Sequence, residues 1–220
     1  MHRNLEEWFN KLGNKKEVDE IFVKLHNLAI TEKKKIVPKK EDVFKALELT
    51  PFNEVRVVWL GQDPYPQIIN GVPVAHGLAF SSNVEEFRPK SLENIFTEIE
   101  SNLYDGFDLN MSTREVNLED LAKQGVLLLN TSLTTFVNEP GAHLSIWNEF
   151  VVKIIETLSE QSSGIIFCLW GDNIKYEKFI NSKLHYVLTS DEKIIGNNHF
   201  KTINKILKEN NGEEFVIKYC

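Results

Sequence analysis

Cysteine is nearly absent from this 220-residue chain, with only Cys168 and Cys220. Two such residues give neither a disulfide framework nor metal-site spacing. A reducing intracellular compartment, the cytoplasm first among them, is the expected setting. Long hydrophobic runs are missing too. The longest, Ile165 to Trp170, is six residues, against about 20 needed to cross a bilayer, so no membrane partner is expected. Met1 to Asn10 carries acids and no apolar block, unlike a secretory signal. There is no glycine-rich phosphate loop and no serine nucleophile elbow. Six histidines, His2, His26, His76, His143, His185 and His199, are scattered without ligand spacing, so neither a metal nor a cofactor is expected. Basic residues are outnumbered 25 to 32, for a net charge of −7 and a pI near 5.5. That excludes a protein that coats nucleic acid by bulk charge, but leaves room for a locally basic groove.

At 42% hydrophobic and 26% charged residues, the chain has the make-up of a globular protein with a substantial core. Residues 1–220 are expected to form a single domain and a monomer. One charge run stands out, Glu32-Lys33-Lys34-Lys35, followed by Lys39 and Lys40. It reads as a solvated surface, with a nucleic-acid contact as its functional alternative.

Four short runs rich in Val, Ile and Leu read as buried strands: Val55–Leu60, Gly125–Leu129, Ile165–Trp170 and Leu184–Leu188. None alternates cleanly, as expected of strands covered on both faces. Amphipathic stretches at Ser91–Asn102, Trp147–Ser159 and Phe200–Lys208 read as helices. Two more, Val18–Ile30 and Lys40–Leu47, precede the first strand. The alternation predicts an α/β fold, a three-layer α/β/α arrangement around a central four-stranded parallel sheet. In such sheets ligands bind at the carboxyl ends of the strands. Those ends are all polar here, and the first, Gly61-Gln62-Asp63-Pro64-Tyr65-Pro66, is the richest in groups able to do chemistry. A polar turn needs no function to explain it. Asp63 beside Gln62 and Tyr65 reads as a site all the same.

These residues carry a resemblance. Gly61 to Pro66 resembles the water-activating loop of the family-1 uracil-DNA glycosylases. Ala75-His76-Gly77-Leu78-Ala79-Phe80-Ser81 resembles the segment holding that family's base-stacking Phe, and Pro89-Lys90-Ser91-Leu92-Glu93-Asn94-Ile95 its proline-serine loop. Gly125 to Thr131 resembles the strand that ends in the specificity Asn, and Leu169-Trp170-Gly171 the third strand and its turn. With His199-Phe200, the likeness runs from about Val37 to about Leu207, and several ordered motifs make it specific.

The resemblance implies an enzyme that flips uracil out of DNA and hydrolyses its N-glycosidic bond. Asp63 is then the catalytic carboxylate that orients water and stabilises positive charge on the sugar. Asn130 offers one donor and one acceptor to the O4 and N3–H edge of uracil, a pattern cytosine reverses. Phe80 stacks on the base, Tyr65 stands against C5 and excludes thymine's methyl, and backbone N–H groups near Gln62 face O2. Pro89, Ser91 and Gly171 are the DNA-backbone candidates. Implied partners are uracil-containing DNA, with single strands favoured because no unpairing is needed, and a protein inhibitor or replication partner.

The chain also departs from the family pattern. The His-Pro-Ser-Pro-Leu-Ser loop expected after the fourth strand is absent, and Thr189-Ser190-Asp191 leads straight into Glu192-Lys193-Ile194-Ile195-Gly196. Losing one donor to a developing oxyanion costs about 10²–10³ in rate, so weakened activity is expected. Ile194 or Ile195 is the candidate wedge in place of the missing Leu, and Lys193 the candidate charge near O2. His185 and His199 read as structural. Asp172 stands where a phosphate-binding Ser is usual, Pro66 where His is frequent, and the stretch Gln67 to Val74 is long for the family. Two rivals stay open. One is a binding module that holds uracil or a modified pyrimidine without cleavage, or a replication scaffold on the same fold. The other is a glycosylase for a different pyrimidine.

Overall fold

The computed structural model of the chain describes residues 3–13, 15–103, 116–191 and 194–211. His2, Lys193 and Cys220 lie outside them. In chain order the elements are α1 (Arg3–Leu12), α2 (Lys15–Glu32), β1 (Ile36–Val37), α3 (Lys45–Leu49), β2 (Val57–Gly61), β3 (Ile68–Ile69), β4 (Val72–Pro73), α4 (Lys90–Leu103), α5 (Glu119–Lys123), β5 (Val126–Asn130), β6 (Thr135–Phe136), α6 (Leu144–Gln161), β7 (Ile166–Trp170), β8 (Tyr186–Ser190) and α7 (His199–Asn211).

Four of these strands form one parallel sheet in the order β5-β2-β7-β8. Every residue of β2, β5 and β7 is buried, as a parallel sheet covered on both faces requires. The expected layering is therefore present. The covering helices turn apolar stripes inward: Leu92, Ile95, Phe96 and Ile99 from α4, and Trp147, Phe150, Val151, Ile154, Ile155 and Leu158 from α6. Under α2 an aromatic cluster closes the core. The Phe44 ring sits 5.4 Å from Phe9, 5.8 Å from Phe22 and 5.8 Å from Phe150. Each such pair adds about 0.5–1.5 kcal/mol beyond its buried area.

The structure departs from the sequence expectation in three places. The fourth strand is Tyr186–Ser190, two residues later than expected, and it is an edge strand with only partial burial. Leu184 and Tyr186 are exposed, so the apolar run that suggested a buried strand is half a surface. Lys40–Leu47 is not one helix but a 3-10 turn at Lys40–Asp42 followed by the short α3. The helix α1 was not foreseen, although Leu5, Trp8, Phe9 and Leu12 repeat at helical spacing and are all buried. Trp8 anchors it by donating from Nε1 to the Thr50 carbonyl at 2.9 Å.

Two small antiparallel ribbons complete the described fold. One pairs β3 with β4. The other pairs β1 with β6, Ile36 opposite Phe136 and Val37 opposite Thr135. The second ribbon ties the segment before α3 to the loop that leaves β5, beside the carboxyl edge of the sheet.

Candidate active site

Adjacent parallel strands place the candidate residues together. β2 and β5 run in register from Val57 opposite Val126 to Gly61 opposite Asn130. Beyond the strands the ladder continues: Thr131 N–H donates to the Gly61 carbonyl at 3.0 Å, and Ser132 N–H to the Gln62 carbonyl at 2.9 Å. The Thr131 hydroxyl adds a third bond to the Gln62 carbonyl, 2.9 Å. Asn173 Nδ2 donates to the Leu60 carbonyl at 2.8 Å from the β7 side. The end of β2 is held from both neighbours, so Asp63 leaves a rigid platform.

The Asp63 side chain is half-buried, and its Oδ2 accepts the Gly141 backbone N–H at 2.7 Å. Burial pushes its pKa above the ordinary aspartate value, and the Gly141 bond opposes that rise. Oδ1 has no hydrogen-bond partner among the described residues. A rigidly held carboxylate with one open oxygen is suited to orient a water or face a cationic sugar.

Asn130 is buried, yet its side-chain amide makes no hydrogen bond among the described residues. It lies over Gly61, where a Cβ would collide with Asn130 Oδ1 and stand 2.9 Å from the Ala79 Cβ. Glycine is required here by close approach. Its polar atoms are not among the buried atoms left without a partner, so the amide is reachable from solvent and free to pair with a bound group.

Tyr65 and Phe80 are tied together. The Tyr65 hydroxyl donates to the Phe80 carbonyl at 3.3 Å and shares a 2.7 Å bond with Ser91 Oγ. Burial pushes the phenol up to about 12, so Tyr65 stays neutral and acts by shape. Phe80 has a φ of 65°, a left-handed conformation that costs a non-glycine residue about 1–3 kcal/mol and clusters at functional sites. Its ring lies 5.9 Å from that of Trp170. Trp170 Nε1 in turn donates to His199 Nδ1 at 2.9 Å.

The remaining candidates divide. Gln62 has an exposed side chain and a fully engaged carbonyl. Gly171, with a φ of 58°, follows β7 next to Trp170, and Asp172 beside it is exposed. Ser91 spends its hydroxyl on Tyr65. Pro89 is buried, and its carbonyl accepts the Glu93 N–H at the start of α4. These two are bound up in supporting Tyr65 and α4.

Neither nearby histidine reaches the pocket. His185 Nδ1 accepts the Ile165 N–H, and its Nε2 lies 3.1 Å from the Ser159 carbonyl. His199 is taken by Trp170. The short connection after β8 is pinned by Glu98, whose carboxylate accepts the N–H groups of Gly196 and Asn198 at 2.5 and 2.8 Å. Ile194 packs on the core and Ile195 is exposed.

The sequence reading missed Gly141, Asn173 and Glu98. It also missed His143, buried with Nδ1 on Thr134 Oγ1 at 2.9 Å and no partner for Nε2. Their contacts cross 78 residues in the case of Asp63 and Gly141, a separation that no local pattern encodes. Among the described residues no cluster could hold a metal ion, and no helix is long and apolar enough to cross a membrane.

The sequence model of the Uracil DNA glycosylase superfamily matches residues 48–215. The chain belongs to that superfamily. A uracil-DNA glycosylase of Fusobacterium nucleatum is 40% identical over 96% of this chain and 91% of its own. Another, of Mycoplasmopsis pulmonis, is 40% identical over 81% of each chain. The crystal structure of mimivirus uracil-DNA glycosylase superposes with a TM-score of 0.86 at 27% identity, covering 100% of this chain and 87% of that one. A Y322L form of the mimivirus enzyme, solved in complex with UGI, superposes with a TM-score of 0.85. In this superfamily member, Asn130 and the loop that carries Asp63 stand side by side at the carboxyl ends of β5 and β2.

Proposed function

We propose that this chain is a DNA repair glycosylase that hydrolyses the N-glycosidic bond of uracil in DNA. One observation carries the reading: the Asp63 carboxylate and the Asn130 amide, which bonds no described residue, leave neighbouring, register-locked strand ends. Asn130 gives its N–H to uracil O4 and accepts N3–H, completing the bonds it lacks in the protein. Cytosine would leave both groups unpaired, a mismatch that sites of this kind reject strongly. Phe80 stacks on the base, and Tyr65 fills the space a C5 methyl would need. As the bond to the sugar stretches, Asp63 faces the cationic anomeric carbon and orients the attacking water.

The base is extruded from its strand before cleavage, at a cost of a few kcal/mol that an unpaired strand largely avoids. The net negative charge and Asp172 both weaken phosphate binding. Single-stranded uracil DNA is therefore the preferred substrate in this reading. A protein inhibitor of the kind bound by the mimivirus enzyme is the expected macromolecular partner. A gel assay of abasic sites on single- and double-stranded uracil oligonucleotides tests the proposal. Cleavage is expected on both, faster on single strands, and slower by about 10²–10⁴ with Asp63→Asn.

A second reading, retention of uracil DNA without cleavage, is favoured by the engagement of both His185 and His199 in structural bonds. The same assay separates the two, since a pure binder retains uracil DNA and leaves no abasic site.

A further inference from the structure

Five lysines fall within the eight residues from 33 to 40 in a chain whose acids outnumber its bases. Lys34 is neutralised by Glu139 at 2.9 Å and Glu32 at 3.5 Å. Lys33, Lys35, Lys39 and Lys40 are exposed and form no ion pair among the described residues. Lys40 rests its ammonium 5.3 Å from the centre of the Phe22 ring. Acids near the group are the exposed Glu32 and Glu41, the half-buried Asp42, Asp19 and Glu48, which line the same cavity as Lys39 and Lys40, and Glu139, which Lys34 occupies.

The backbone fixes where this charge sits. The Lys35 carbonyl accepts the Val137 N–H at 2.9 Å, and the next residue, Asn138, donates to the Pro66 carbonyl at 3.0 Å. The lysine segment is thus stitched to the loop that carries Gly141 and, through it, to the loop that carries Asp63. Strand order adds direction. In β5-β2-β7-β8 the loop after β5 lies on one side of Asp63 and the loop after β7, with Asp172, on the other. The lysine segment is tied to the β5 side, whereas the segment after β7 balances Asp172 and Glu177 with Lys175 and Lys178, so the excess positive charge falls on the β5 side.

We propose that Lys33, Lys35, Lys39 and Lys40 form a docking strip for the phosphates of the DNA strand flanking the extruded base. The inference rests on the glycosylase reading for the identity of the polyanion, but strand binding can be measured without cleavage. Unpaired ammonium groups bind phosphate by releasing condensed counterions. Each contact adds about 0.7 to the slope of log K against log salt for single strands. Such contacts position a strand and carry no base sequence.

The test is fluorescence anisotropy of a labelled 15-nucleotide single strand, with a central uracil or with thymine in its place, across 50–200 mM salt. Changing all four lysines to Gln is expected to reduce the salt slope by about 3 and to weaken binding at 50 mM by more than about tenfold, equally for both oligonucleotides. Lys35→Gln alone is expected to reduce the slope by about 0.7. A control with the same charge change at Lys153, Lys183, Lys205 and Lys208, on α6, before β8 and on α7, is expected to shift it by less than about 1. An unchanged slope in the four-lysine variant, or an equal loss in the control, overturns the proposal. If the chain releases no uracil at all, the glycosylase reading fails, and the anisotropy series still decides the strip.

Discussion

The Asn130 carboxamide oxygen occupies the space that a side chain at Gly61 would fill. The two residues are cross-strand partners at the ends of β5 and β2, so the Asn130 amide is seated on bare backbone. Gly61→Ala must push Asn130 or Ala79 aside. Overpacking of this kind costs about 1–3 kcal/mol, which the fold should survive. A misplacement near 1 Å at a reacting centre costs about 10²-fold. Uracil release is expected to fall by about two orders of magnitude while the variant still melts cooperatively, as single-turnover kinetics and thermal denaturation would show.

Asn130→Asp replaces the donor half of the amide with a second acceptor. Uracil O4 then meets an acceptor in a buried site. Release of uracil should drop by about 10⁴, and the surviving activity should shift toward cytosine. Competition between uracil- and cytosine-containing strands measures the shift. Unchanged base choice would show that Asn130 does not read the base edge.

Tyr65 tests shape in isolation from titration, because burial keeps its phenol neutral to about pH 12. Tyr65→Ala opens the wall beside C5 and removes the bonds to Phe80 and Ser91. Thymine release from ordinary DNA is the expected gain, with slower uracil release and a stability loss of about 3 kcal/mol for the deleted ring. Liquid chromatography of the released bases distinguishes gain from simple damage.

His76 makes stability depend on pH. Burial, aided by the Lys45 ammonium, holds its pKa down to about 4, against 6.5 for the free side chain. Its Nε2 lies 2.6 Å from Ser81 Oγ. Between those two values the unfolded chain binds a proton and the folded chain does not, so stability falls as pH drops below 6.5. The loss from this residue should reach about 2 kcal/mol at pH 5. Urea denaturation at pH 7 and pH 5 measures it, and His76→Gln should flatten the difference.

Much of the fold was legible because the parallel sheet announces itself. Runs such as Val57–Leu60 and Ile166–Trp170 are apolar on both faces, and the helices between them keep a helical stripe. The edge strand misled because Leu184 and Tyr186 are apolar yet exposed. Asp63, Tyr65, Phe80 and Asn130 are candidates from motif order, and the structure puts Asp63 and Asn130 beyond and at the ends of neighbouring strands, with Tyr65 bonded to Phe80. Their supports could not be named that way. Gly141, Asn173, Glu98 and the Trp170–His199 pair act through contacts between distant segments, and glycine, asparagine and glutamate are common enough that composition gives no signal.

In the proposed reaction the Asp63 carboxylate acts on the sugar of an extruded deoxyuridine. Single-turnover release of free uracil from a single-stranded oligonucleotide, measured with excess protein for the native chain and for Asp63→Asn, tests it most directly. The account predicts measurable release by the native chain and a loss of about 10²–10⁴ in the variant, with binding of the oligonucleotide retained. Equal rates in the two proteins, or no release by the native chain at any concentration, would contradict it.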